Sequence, residues 1–210
     1  MTQSARRSIV AIALTILILG VMYYGTFLPF AKSRIFIQVL AARGNFHSLT
    51  ELEQTFDQAL DYRGIGGIPS PIGQEELVRN TASYVLSFIQ QNNDTQLIVP
   101  LADYAQKYYD PIIAYGRGMS FGQDMYLLGV MNEVMVVKTK DPKYLAAAHT
   151  YFSKALELGP KRPQALYGMF DIYRLEGNAD AAKEIANQIL SQWPKDDRTR
   201  QILNDLLKQN

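Results

Sequence analysis

From Ile9 to Leu19 every side chain but Thr15 is apolar, and from Ile35 onward apolar residues recur mainly at intervals of three and four. The unbroken run predicts a helix that is apolar on all its faces, whereas the interrupted pattern predicts a succession of helices that each bury one face. Ile35, Phe36, Val39 and Leu40 have the spacing of such a face, and Gly44 and Asn45 are expected to end that helix. Pro29, just ahead of it, predicts a break or kink. Ser48 with Glu51 three residues on predicts a capping box that opens a helix through Leu52, Phe56, Ala59 and Leu60.

The stretch Arg63–Gly73 holds four glycines and two prolines in eleven residues and predicts a joint. Leu77, Val78, Tyr84, Val85, Phe88 and Ile89 then predict an amphipathic helix from Gln74 to about Gln91. A partner follows from Leu97 to Tyr109, with Pro100 in its first turn. Asp110–Ser120, with Pro111, Gly116 and Gly118, predicts a second joint before a helix from Phe121 to Val137. Asp141 and Pro142 are an N-cap and first-position pair for the next helix. Pro163 opens another, buried through Leu166, Met169, Phe170 and Tyr173, and Gly177-Asn178 turns the chain into a helix from Ala179 to Gln192. A last helix from Asp197 is expected to turn Ile202, Leu203, Leu206 and Leu207 inward.

Two of these segments repeat with a period of 34 residues. Ala148, Phe152, Ala155, Leu156 and Pro160 overlay Ala182, Ala186, Ile189, Leu190 and Pro194. Residues 129 to 196 therefore resemble the tetratricopeptide repeat family, with the pattern Ala-x3-Phe-x2-Ala-Leu-x3-Pro intact from Ala148 to Pro160. The second copy departs at Phe170, where the family prefers a small residue, and at Ala186 and Ile189. A large Phe170 opposite a small Ala186 would conserve core volume. Leu52, Phe56 and Ala59 share the spacing of Ala148, Phe152 and Ala155, so a first, degenerate hairpin is expected next to the apolar run. The resemblance implies an all-α solenoid of helical hairpins, each burying its apolar face on the next, and the uncharged N-terminal run predicts a transmembrane helix ahead of it. The expected divisions are 1–30 stub and anchor, 31–62 degenerate hairpin, 63–73 joint, 74–120 irregular hairpin and joint, 121–196 two repeats, and 197–210 capping helix.

Charge sharpens the reading of the first thirty residues. Between Arg7 and Lys32 lie 24 residues without a charge. Ile9 to Phe30, as a helix, would span about 33 Å against a hydrocarbon layer of about 30 Å. Tyr23 and Tyr24 would sit near the far interface. A cleaved secretory signal is the alternative, but the run outlasts a signal core, and bulky Tyr23, Tyr24, Phe27 and Phe30 occupy the place of small cleavage-site residues. Arg6 and Arg7 hold the leading end in the cytoplasm, opposed by Lys32 and Arg34. The expectation is a single-pass inner-membrane protein with its C-terminal domain outside the cytoplasm.

Setting those two arginines aside leaves 19 basic against 20 acidic residues, which is no nucleic-acid footprint. Cysteine is absent, which removes disulfides, thiolate metal sites and a cysteine nucleophile. His47 and His149 stand alone, and no Gly-x-Ser-x-Gly elbow occurs. Gly64, Gly66 and Gly67 lack the companions of a phosphate loop. Asp57 and Asp61 read as a solvated helix face, and Tyr104, Tyr108, Tyr109, Tyr115 and Tyr126 as packing rather than a glycan platform. No cofactor, metal or catalytic residue is expected.

A second resemblance runs through Pro29-Phe30-Ala31, Leu52 to Tyr62 and Pro69-Ser-Pro-Ile-Gly-Gln-Glu-Glu-Leu-Val-Arg79. This order looks like the C-terminal part of O-antigen ligase or polymerase-like bacterial membrane proteins, in which a many-span domain precedes such a tail. One span is present here, so the glycan-binding membrane domain of that family has no counterpart in the chain.

Recognition is the function the repeats imply, in cell-envelope assembly, with a protein or peptide partner that includes a multi-span membrane protein among the candidates. The runner-up is an accessory tail of a glycan ligase or polymerase system. In the tetratricopeptide family ligands lie against the inner helix of each repeat. Its groove positions map onto Gln164, Tyr167, Asp171, Arg174 and Leu175, preceded by Val130, Glu133, Val137, Lys140 and Asp141. Tyr167, Asp171 and Arg174 fall on one helix face. Asp171 and Arg174 can equally pair with each other across a solvated turn. Glu133 and Val137 stand where the family's clamp for C-terminal carboxylates has Lys and Asn, so that ligand class is not expected.

Overall fold

The computed structural model describes residues 3–42 and 48–208. Gly44, Asn45 and His47 lie outside them. The regular structure of the described residues is helical, with no strand beyond an isolated antiparallel bridge between Arg63 and Pro69. The chain divides into two compact units, Met1–Thr81 and Ala82–Asn210.

In the first unit α1 (Gln3–Met22) and α2 (Leu28–Ala42) are joined by a π-helical turn, Tyr23–Phe27. The helix does not break at Pro29. Proline has no N–H to give to a carbonyl four residues back, and the chain absorbs this by widening the preceding turn, where Leu28 N–H bonds to the Tyr23 carbonyl five residues away. The stretch Gln3–Ala41 is long and apolar enough to cross a membrane. Ile9, Ile12, Ile16 and Leu19 are all more than half exposed, on a helix that is apolar on all its faces.

α2 packs on α3 (Leu49–Leu60), with the Phe36 and Phe56 rings edge to face at 6.2 Å. Glu51 N–H donates to Ser48 Oγ at 3.1 Å, and Leu52, Phe56, Ala59 and Leu60 are the buried face. Lys32 does not stand in water at the end of the apolar helix. It is 2% exposed and donates to the Ser70 carbonyl at 3.2 Å and to Gln74 Oε1. Gln74 in turn donates to the Leu60 carbonyl. The glycine- and proline-rich stretch 63–73 therefore folds back on this unit, ahead of α4 (Gln74–Gln91).

The second unit begins within α4 and continues with α5 (Thr95–Tyr115), α6 (Phe121–Thr139), α7 (Pro142–Leu158), α8 (Pro163–Leu175), α9 (Ala179–Gln192) and α10 (Asp197–Lys208). α5 runs on through Pro111, where a joint was expected, and stops only at left-handed Gly116. It also starts two residues earlier than expected, which puts Pro100 in its second turn. Burial of Leu101, Tyr104, Ala105, Tyr108 and Tyr109 along one face outweighs the two missing N–H groups. Lys138, near the end of α6, donates to the carbonyls of Gln90 and Asn92 and so closes the C-terminus of α4.

From α6 onward each helix packs on the next, and α6 also touches α8, which is the neighbour pattern of a helical-hairpin solenoid. Asp141 Oδ1 accepts from Lys143 N–H at 2.9 Å, and Asn178 Oδ1 from Ala181 N–H at 3.1 Å, so each second helix is capped at its start. One core holds Ala148, Phe152, Met169 and Ile172. The next holds Leu166, Phe170, Ala182, Ala186, Ile189 and Leu203. Phe170 and Ala186 do share a core. Leu156, Tyr173 and Ile185 border both clusters. In α10, Leu203 and Thr199 are buried, whereas Leu207 is 57% exposed rather than inward. Positions 199, 203 and 206 define the inner stripe, and 207 lies one step past it.

Candidate functional site

α6 and α8 lie side by side as the inner helices of successive hairpins. The predicted groove residues fall into four groups, and Val130 packs, partly buried, against the core of Ala148 and Phe152. Gln164, Leu175 and Val137 are exposed. Gln164 borders a hollow of about 420 Å³ with Gln123, Tyr126 and Arg162.

Asp171 and Arg174 pair, with Nη1 to Oδ1 at 2.7 Å, and the guanidinium also lies 5.5 Å from the centroid of the Phe170 ring. Across on α6, Glu133 is half-buried. Burial first, and then the negative charge of Asp171, push its carboxyl up to about 7. Burial and Glu133 likewise raise the Tyr126 phenol. Glu133, Asp171 and Arg174 are thus brought into one electrostatic environment by two helices that the sequence separates.

Tyr167 is engaged elsewhere. Its hydroxyl donates to Asp196 Oδ2 at 2.6 Å, and its ring stacks on Trp193 at 6.1 Å. Burial and the Asp196 carboxylate push the phenol up to about 12. Asp196 also accepts from Thr199 N–H and Oγ1, so Tyr167 helps to hold the start of α10. Lys140 and Asp141 lie past the end of α6. Lys140 is left-handed at φ 61° and Asp141 is the cap of α7, because α6 ends at Thr139.

A cleft of about 940 Å³ lies elsewhere in this unit, between the end of α5, the start of α6 and the outer side of α7, lined by Ile113, Phe121, Met125, Leu145 and His149. His149 Nδ1 is 2.8 Å from Glu176 Oε1 at its edge. No motif in the sequence marks this cleft, because its walls come from separated elements. Among the described residues no three of His, Cys, Asp and Glu gather into a metal-binding group.

The inner pairing of α6 with α8 and the 34-residue register are the geometry of a repeat array. Residues 143–208 match the tetratricopeptide repeat family. The match takes in α7 to α10, so Gln164, Tyr167, Asp171, Arg174 and Leu175 lie within it and Glu133 and Val137 on α6 lie before it. No curated protein and no solved structure matches the chain. Tetratricopeptide repeats are protein-interaction modules and typically carry no catalytic site of their own.

Proposed function

We propose that this chain is a membrane-anchored tetratricopeptide scaffold that binds a protein or peptide along α6 and α8 in cell-envelope assembly. The observation that carries the reading is the inner face itself. Two neighbouring helices present an acidic pair, Glu133 and Asp171, next to an arginine, with exposed Val137 and Leu175 at the edges. Charges of both signs beside apolar contacts suit a segment of chain bearing a basic group and an aliphatic side chain. Ile9–Phe30 serves as the anchor in this reading, supported by an apolar surface on all sides of the helix.

The test is a crosslinking pull-down from native membranes with the full chain, comparing Gln164→Ala and Arg174→Ala with Lys208→Ala, a control whose side chain is 77% exposed on α10. Loss of partner in the first two alone is expected. Equal loss in the control, or none in any, would remove the groove. Resistance of the full chain to alkaline extraction from membranes checks the anchor, and protease digestion of sealed vesicles checks its orientation. Recovery of a many-span membrane protein with a lipid-linked glycan site would favour the accessory-tail reading over a general scaffold.

A further inference from the structure

The eleven residues from Arg63 to Gly73 combine three features that a solvated loop would not. Ile65, Ile68 and Ile72 are 77%, 49% and 50% exposed, so three large aliphatic side chains in eight residues face outward. Arg63 is the stretch's one charge. Its first half is tied together: Gly64 N–H donates to the Ile68 carbonyl and Gly67 N–H to the Gly64 carbonyl, both at 3.0 Å, while Arg63 Nη1 donates to the Gly67 carbonyl at 3.2 Å. A loop partly paired within itself, with its isoleucines outward and a single basic charge, is suited to the interface between lipid and water.

The loop is also pinned at a definite height on the long helix. Ile65 N–H donates to Tyr23 Oη at 2.8 Å. Gly64 sits so close that a Cβ there would lie 2.8 Å from Leu28 Cδ1 and 2.9 Å from Tyr23 Oη. On its far side Lys32 holds the Ser70 carbonyl. Counting about 1.5 Å per residue from Ile9 places Tyr23 about 21 Å and Leu28 about 28 Å along a hydrocarbon layer about 30 Å thick. The contact points therefore run from the middle of the distal leaflet to its headgroup edge, where amphipathic rings and aliphatic side chains are favoured and a basic residue can reach lipid phosphates.

We infer that Arg63–Gly73 is a lipid-seated wedge: Ile65 and Ile68 insert among the acyl chains beside the span, with Arg63 at the headgroups, and fix how the first unit rests on the membrane. This rests on the reading of Ile9–Phe30 as the span.

The chain has no cysteine, so single sites can be labelled without background. Full-length protein carrying Ile65→Cys, Leu17→Cys or Asp180→Cys, each with an environment-sensitive fluorophore, is reconstituted into phosphatidylcholine vesicles containing shallow or deep spin-labelled lipid. Asp180, 95% exposed on α9, reports water. The Ile65 label is expected to be quenched by the shallow spin label about twofold or more above the Asp180 label, and the Leu17 label by the deep one. Quenching at Leu17 with Ile65 indistinguishable from Asp180 would overturn the wedge and leave the anchor standing. No quenching at Leu17 would overturn the anchor and the wedge together. Protection of the Ile65 label from aqueous iodide without lipid quenching would mean that protein covers the loop, and would overturn the lipid assignment.

Discussion

A Cβ placed on Gly168 would lie 2.3 Å from Cε1 of Phe152, so the second repeat's inner helix approaches the first repeat's outer helix only because residue 168 has no side chain. The ring cannot retreat, since Gly129 on α6 meets it in the same way at 2.7 Å from the other helix. Gly168→Ala should therefore destabilise the protein by about 1–3 kcal/mol through overpacking, although alanine in a helix is intrinsically better than glycine by about 1 kcal/mol. Urea unfolding of wild type and variant measures the difference. A more stable variant would mean that Phe152 repacks freely.

Glu133 gives a pH dependence of defined sign. Its carboxyl is raised from 4.5 to about 7 in the folded protein. Between those values the folded state binds more protons than the unfolded one, so stability falls as pH rises through this window. Glu133→Gln should flatten that part of the profile. At pH 8 it should raise stability by about 1 kcal/mol, a figure that allows for the partial solvent access of the group. Urea midpoints at pH 5 and pH 8 decide it: an unchanged difference between them would show that Glu133 is not the group responsible.

Asp196 ties α10 to the array through Tyr167 and through Thr199. These hydrogen bonds hold its carboxyl below the ordinary 3.8, so its contribution is present above that value and is lost as pH falls through the lower, folded one. Asp196→Ala should cost about 1 kcal/mol at neutral pH, the usual effect of losing such a cap. Tyr167→Phe, which keeps the stacked ring, should cost less. Hydrogen exchange of the α10 amides should speed up in the alanine variant before any other helix responds.

Ending the chain at Pro160 deletes α8 to α10 and uncovers Phe152, Ala155 and Ala148, all fully buried in the intact protein. The shortened full-length chain should self-associate in detergent and lose its cooperative melt, whereas removal of the last three residues should leave both unchanged. A monomer melting at the wild-type temperature would contradict stacking as the source of stability.

The helices that sequence periodicity placed best are those whose boundaries are local chemistry. Ser48, Asp141 and Pro142, and the turn at Gly177-Asn178 are readable because a cap is satisfied by atoms two or three residues away. The 34-residue recurrence of Ala148 and Pro160 needed no structure either, since each repeat must meet the next in the same register. Tertiary packing decided the remainder. Pro29 and Pro111 read as breaks in isolation and are carried inside helices, one by a widened turn and one by the burial of neighbouring tyrosines. Lys32 reads as a flanking charge and is a buried pin, because the Ser70 carbonyl and the Gln74 side chain arrive from some forty residues away. Tyr167 stands on the groove face by spacing, yet is committed to Asp196 by the arrival of α10. Periodicity records which face of a helix avoids water. It carries no information on which distant group comes to meet that face, and that meeting determines which polar side chains remain open to a partner.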